Sequence, residues 1–253
     1  MGKLKDETSQ QVELANGFHY SPIGIEKLDD DQYTFLIMAY DTTGSVRGFA
    51  ELMNLLNEKL LSACQKLPKV HNIIVMMVEF NDSIGVKEIH GFKLLTDIDP
   101  ANDYPEFKPW GGTNLYDAAF MTVEAAITEG ARLYDKGYTV NGVIFIVSDG
   151  DENSSRKIHD PGEIKVKTDE ARRGEKISFL QTVLIGVKDP EITGEVWADE
   201  ISVRLEEFQL KAGIDKYVDI GDATEESILK LVFDISQITS EVSEGTKSEL
   251  TFS

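Results

Sequence analysis

The polarity pattern of the chain alternates between short apolar runs and longer stretches with helical spacing. Residues 33–40 form a near-continuous apolar run, as expected of a strand buried on both faces of a parallel sheet. Over residues 45–67, Phe49, Leu52, Met53, Leu56, Leu60, Ala63, Cys64 and Leu67 recur at spacings of three and four, predicting a helix that Pro68 stops. Residues 73–80 are a second buried run, and Asn81-Asp82-Ser83 reads as a turn. The segment 86–95 carries Lys87, Glu88 and His90 and follows too closely for a helical crossover, so an antiparallel edge strand is predicted. After a loop with Pro100, Pro105 and Pro109, residues 114–134 predict a helix whose Ala118, Ala119, Ala125 and Ala126 allow close packing. Buried runs at 143–147 and 179–187 follow. Helices are predicted at 192–212 and 223–240, with a short strand at 217–220 between them. The last helix gathers Ile228, Leu231, Val232, Ile235 and Ile238 on one face.

Such alternation predicts a doubly wound α/β fold: a mostly parallel central sheet with one antiparallel edge strand and helices on both faces. There is no internal repeat and no Pro- or Gly-rich linker. The expected organisation is an N-terminal extension over 1–30, one domain over 31–242 and a flexible tail over 243–253. The extension ends in Asp29-Asp30-Asp31 and is expected to lie against the domain through Phe18, Tyr20 and Ile23.

Charge narrows the function classes. Against 45 acidic residues stand 25 basic ones, a net charge of −20. That surface repels phosphate backbones and anionic lipid, so neither nucleic acid nor membrane is an expected partner. It suits cations or basic partners. No apolar run approaches the ~20 residues that span a bilayer. The single cysteine, Cys64, excludes an intrachain disulfide and reads as a small core residue. With no secretory apolar segment, a reducing, cytoplasmic setting is expected. The opening Met1-Gly2 has Asp6 where a myristoylation signal has Ser or Thr.

The chemistry lies where strands end. In open α/β sheets, sites form at the carboxyl ends of the strands. Here the first strand ends in Asp41, followed by Thr43 and Ser45; Gly111-Gly112-Thr113 precedes a helix; another strand ends in Ser148-Asp149-Gly150. Asp41, Thr43, Ser45, Thr113 and Asp149 are all hard oxygen donors, a set suited to Mg2+, with Mn2+ or Ca2+ as alternatives. Two helix N-termini aimed at the same space also favour an anionic ligand. Taken singly, Ser45 and Thr113 read equally as helix caps.

The order Asp41-x-Thr43-x-Ser45, Thr113 behind a Gly-Gly pair, and Ser148-Asp149-Gly150 resembles the metal-ion-dependent adhesion site of von Willebrand factor A-type domains over residues 32–240. The resemblance implies direct ligation by the Thr43 and Ser45 hydroxyls. It implies a Thr113 whose ligation changes with partner binding, and carboxylates Asp41 and Asp149 acting directly or through water. Thr43 stands where that family has a serine. The implied function is a metal-dependent protein-binding module within an intracellular assembly, not an enzyme, its Mg2+ completed by an Asp or Glu of a protein partner.

Alternatives are a metal-dependent hydrolase of phosphate esters and a scaffold with a vestigial metal site. The chain has no Gly-x-x-x-x-Gly-Lys-Ser/Thr loop and no Gly-x-Ser-x-Gly elbow. Thr43 also replaces the second aspartate that haloacid dehalogenase-like phosphotransferases require. Asp151, Glu152 and Asn153 read either as a second cation site, as partner surface or as solvated loop. Trp110 reads as a partner anchor or a packed loop aromatic. His19, His71, His90 and His159 lack metal-ligand spacing, and Lys66, Lys69 and His71 read as a solvated basic loop.

Overall fold

The computed structural model describes residues 11–150, 152–174, 176–188, 195–222 and 224–245. Strands β1 (Val12–Glu13) and β2 (His19–Tyr20) form a small antiparallel hairpin. Six further strands, β3 (Gln32–Asp41), β4 (Ile73–Asn81), β5 (Gly85–Leu94), β6 (Thr139–Ser148), β7 (Phe179–Lys188) and β8 (Lys216–Asp222), make the central sheet. Their order is β5-β4-β3-β6-β7-β8, all parallel except for β5 against β4. Helices α1 (Ala50–Cys64), α2 (Leu115–Tyr134), α3 (Gly162–Arg173), α4 (Glu195–Ala212) and α5 (Glu225–Ser243) complete the domain.

The two-residue period of β3 divides the core. Tyr33, Phe35, Ile37 and Ala39 point into one apolar layer shared with α2, α3 and α4. Leu36, Met38 and Tyr40 point into another, shared with α1 and α5. The doubly wound reading with one antiparallel edge strand is what the sheet shows. From β3 the chain runs outward through β4 and β5, then returns across α2 to β6 on the other side. The strand order therefore reverses between β3 and β6, the switch point at whose carboxyl ends such sheets form their sites.

Two elements differ from expectation. The helix expected from Ser45 opens as a 3-10 segment, Gly44–Phe49, and becomes α-helical only at Ala50. Gly44 and Gly48 weaken α-helix formation there. No element was expected over 162–173, yet α3 lies there; only Ile164, Thr168 and Ala171 of its residues are buried, too few to stand out as an apolar stripe. The start of the helix expected at 192 falls outside the described residues, as do residues 1–10 of the extension and 246–253 of the tail.

Residues 11–31 are packed against the sheet layer. Phe18, Tyr20 and Ile23 are buried in the same apolar layer as β3 and α2. The Phe92 amide donates to the Ser21 carbonyl at 2.8 Å. A Cβ at Gly91 would stand 2.2 Å from that carbonyl, so the close approach requires glycine. The buried Glu129 of α2 accepts from the Ile23 amide at 2.9 Å and is held by Arg132 at 2.6 Å.

Candidate metal centre

Asp41 and Ser148 end neighbouring strands in register, one step beyond the pair Tyr40 and Val147. Both continue the face of β3 and β6 that points toward α2, so their side chains meet. The Ser148 hydroxyl donates to Asp41 Oδ2 at 2.6 Å, and the Thr43 amide donates to Asp41 Oδ1 at 2.9 Å. Next along the turn, the Thr43 and Ser45 hydroxyls lie 2.9 Å apart, and Ser45 donates to Asp149 Oδ1 at 2.9 Å. The tight 3-10 start brings these two hydroxyls to one side.

Thr113 arrives from the third loop. A Cβ built on Gly150 would lie 3.1 Å from Thr113 Oγ1 and 3.9 Å from Ser45 Oγ, so all three loops meet at this glycine. The loop that delivers Thr113 is stitched to its neighbours through the backbone. Gly44 donates to Gly111 O, Trp110 to Thr42 O, and Asp82 to Gly112 O. Gly111 has φ +80, a conformation that favours glycine, and a Cβ there would stand 2.0 Å from Asp82 Oδ1 and push that carboxylate off the Gly112 amide. Asn153 Oδ1 accepts the Thr113 amide at 2.9 Å.

The structure thus draws Asp41, Thr43, Ser45, Thr113 and Asp149 together at the sheet's switch point. Asp41, Thr43, Thr113 and Asp149 are buried and Ser45 is partly so. The capping alternative has no support in the geometry. Thr43 and Asn114 occupy the N-cap positions, and neither makes a side-chain cap bond. Instead, the α2 N-terminus is satisfied by residues after β6. Glu152 accepts the Tyr116 amide at 2.9 Å, and the Ser155 hydroxyl accepts the Asp117 amide at 3.1 Å.

Electrostatically, Asp41 is the unusual member. Its carboxyl is wholly buried, and burial pushes its pKa up to about 6 against hydrogen bonds from Ser148 and Thr43 that pull it down. No basic side chain pairs with it among the described residues. Nor do three or more His, Cys, Asp or Glu side chains gather as a metal cluster among them. Any cation here would rest on two carboxylates plus hydroxyl oxygens, a hard donor set that fits a divalent ion.

Sequence reasoning missed several working residues. Ser148 was read only as part of its motif. Its signal was the position facing Asp41 on the neighbouring strand. Glu152 and Asn153 are neither a cation site nor idle loop: they hold α2 and Thr113, while Asp151 lies outside the described residues. Asp117 accepts the amides of Arg156, Lys157 and Ile158, fixing the loop beside the site. Trp110 is 67% exposed at the rim, not packed. His90 is buried and bonded to Gly91 O and to the Tyr104 hydroxyl, far from any ligand role.

No family model matches the chain, and no curated protein matches it. Solved structures do. The PilB minor pilin from Streptococcus sanguinis superposes with a TM-score of 0.58 at 13% identity, over 88% of this chain and 64% of that one. The vWF domain of the type V pili tip protein Mfa5 from Porphyromonas gingivalis gives 0.54 at 10%, over 87% of this chain and 98% of that one. Proximal thread matrix protein 1 from the mussel byssus, with a zinc-occupied MIDAS motif, gives 0.52 at 18%, over 83% and 46%. The chain thus spans less than two thirds of the pilin and less than half of the byssus protein.

The cytoplasmic setting expected from the cysteine count and the missing secretory segment is overturned, because the solved structures that share this fold include a minor pilin and a pilus tip protein. The physical reason is plain: Cys64 is buried and has no second cysteine to pair with, so it says nothing about the redox state outside the fold. Among the described residues no helix is long and apolar enough to cross a membrane. With its strand order, single antiparallel edge and these structural neighbours, the chain has the fold of a von Willebrand factor A-type domain.

Proposed function

We propose that this domain is a metal-dependent protein-binding module of a surface or secreted protein. Asp41, Thr43, Ser45, Thr113 and Asp149 hold a divalent cation, Mg2+ in the first place, and an Asp or Glu of a protein partner completes its coordination. The observation that carries this reading is the buried Asp41 carboxylate, which lacks a cationic partner among the described residues and sits within a chain of hydroxyls leading to Asp149. An uncompensated buried carboxylate is costly, and a bound dication supplies the missing charge. The zinc-occupied motif of the byssus protein supports a divalent site on this fold.

Binding is favoured over hydrolysis because no histidine or lysine is hydrogen-bonded to Asp41, Thr43, Ser45 or Thr113 among the described residues, and the site's two carboxylates are the groups that would hold the cation. Isothermal titration with Mg2+ tests the site. Wild type is expected to bind one ion, and Asp41→Ala and Asp149→Ala to lose that binding. Equal binding by wild type and both variants would sink the assignment.

A further inference from the structure

Beside the metal centre lies a cavity of about 350 Å3, formed where the β1–β2 turn, the β4–β5 turn, the start of α2 and residues 154–157 meet. Phe18, Ile84 and Met121 give it apolar walls, and the exposed Arg156 and Lys157 also line it. Asn114 also lines it. That residue directly follows Thr113 and is 2% exposed. Its side chain does not cap α2, and its buried Oδ1 has no hydrogen-bond partner. A buried amide left unpaired costs about 1–3 kcal/mol.

A carboxamide offers a donor and an acceptor side by side, and a peptide group offers the complementary pair. The match survives exchange of the two amide atoms, because both partners are two-sided. The two carboxylates of the lining are already engaged. Asp82 accepts the Gly112 amide and the Ser83 hydroxyl, and Asp117 accepts three backbone amides. Neither Arg156 nor Lys157 has an ion pair among the described residues, although Arg156 also touches the Asp82 carbonyl at 3.3 Å. The cavity and the metal centre share a wall: Ser154 lines the cavity and donates to Asn153, which holds the Thr113 amide.

From this geometry we infer that the cavity is a second subsite for an acidic peptide segment of the partner, whose main chain pairs with the Asn114 carboxamide while its flanking carboxylates face Arg156 and Lys157. The inference rests on the proposed metal reading for the segment's first anchor, and on the cavity alone for its second. It gives the partner a chemistry: one carboxylate for the metal, and a nearby stretch of exposed, acidic backbone.

The probe is a blocked hexapeptide of alternating aspartate and glycine, titrated into the full chain with saturating Mg2+ and followed by backbone amide NMR. Signals of Asn114, Ser154 and Arg156 should shift together with those of Thr43 and Ser45. Asn114→Ala and the double variant Arg156→Ala/Lys157→Ala should each weaken peptide binding about tenfold, the worth of one lost hydrogen bond or screened charge pair. Their Mg2+ affinity should stay at the wild-type level, and neither variant should melt below wild type, since Asn114→Ala removes an unpaired buried group and Arg156 and Lys157 are exposed. Shifts confined to Thr43, Ser45 and Asp149, undiminished peptide affinity in both variants, or no peptide binding at all would overturn the inference. Peptide shifts at Asn114 in a protein that binds no Mg2+ would support the cavity and remove the metal reading instead.

Discussion

The hydroxyl of Ser148 donates to Oδ2 of Asp41 across 2.6 Å, joining the ends of two parallel strands 107 residues apart in sequence. The bond stabilises the ionised carboxylate and fixes the direction in which its other oxygen points. Contacts that support a metal ligand, the role proposed for Asp41, typically change affinity ten- to a hundredfold. Ser148→Ala is therefore expected to weaken Mg2+ binding by roughly tenfold and to raise the Asp41 pKa further. Calorimetric titration of the variant at pH 7.5 measures the first effect, and wild-type affinity would count against it.

Burial raises the Asp41 pKa from 3.8 to about 6. Between those values the folded chain binds more protons than the unfolded one, so the metal-free protein loses stability as pH rises through that window. The full penalty, on the order of 2–3 kcal/mol, is present above about pH 6. Mg2+ requires the ionised form, so its affinity should fall as pH drops through about 6. Thermal melts from pH 4.5 to 7.5 test both statements. The stability difference between Asp41→Asn and wild type should move in the variant's favour as pH rises without metal, and added Mg2+ should stabilise wild type alone. A difference that does not change with pH would refute the titration.

Glu152 gathers four donors: the amides of Tyr116, Ser154 and Ser155 and the Ser155 hydroxyl. It satisfies the start of α2, where a negative charge also meets the positive end of the helix. Glu152→Ala should cost about 1–3 kcal/mol in urea unfolding, with Glu152→Gln losing less. The Tyr116 amide should exchange with solvent faster in the alanine variant. Unchanged exchange would mean that water replaces the carboxylate at no cost.

The Arg132 and Glu129 pair is of a different kind from the surface pairs. Glu129 is fully buried and also accepts the Ile23 amide, whereas Lys27 and Asp97 are about half exposed. Removing one partner of a buried pair strands a charge, so Arg132→Leu should cost about 3–5 kcal/mol. Lys27→Leu should cost less than about 1 kcal/mol. In Arg132→Leu the Ile23 amide should also lose protection, because its acceptor is no longer held. Equal costs for the two variants would contradict the distinction.

The polarity pattern carried the architecture far. Runs buried on both faces identified the strands, and the short gap before Val86 identified β5 as antiparallel, since no helical crossover fits in the space. Helix α3 stayed hidden because its surface is almost entirely polar. Asp41, Thr43, Ser45, Thr113 and Asp149 were legible because strand ends in such a sheet converge by topology, without any knowledge of distances. The cytoplasmic setting was misread because a missing disulfide is an absence and constrains nothing about a buried thiol.

By itself, then, the sequence determined the order of the six sheet strands and of every long helix except α3, and it brought the loops of Asp41, Thr113 and Asp149 to one sheet edge, because periodicity is local and strand ends in such a sheet converge by topology. Only the tertiary structure decided that Ser148 orients Asp41, that Glu152 rather than Ser45 or Thr113 caps a helix, and that the N-terminal hairpin closes a cavity around Asn114. Each of those contacts joins residues tens of positions apart and leaves no periodic trace. They depend on where separate elements come to rest once the two apolar layers have packed.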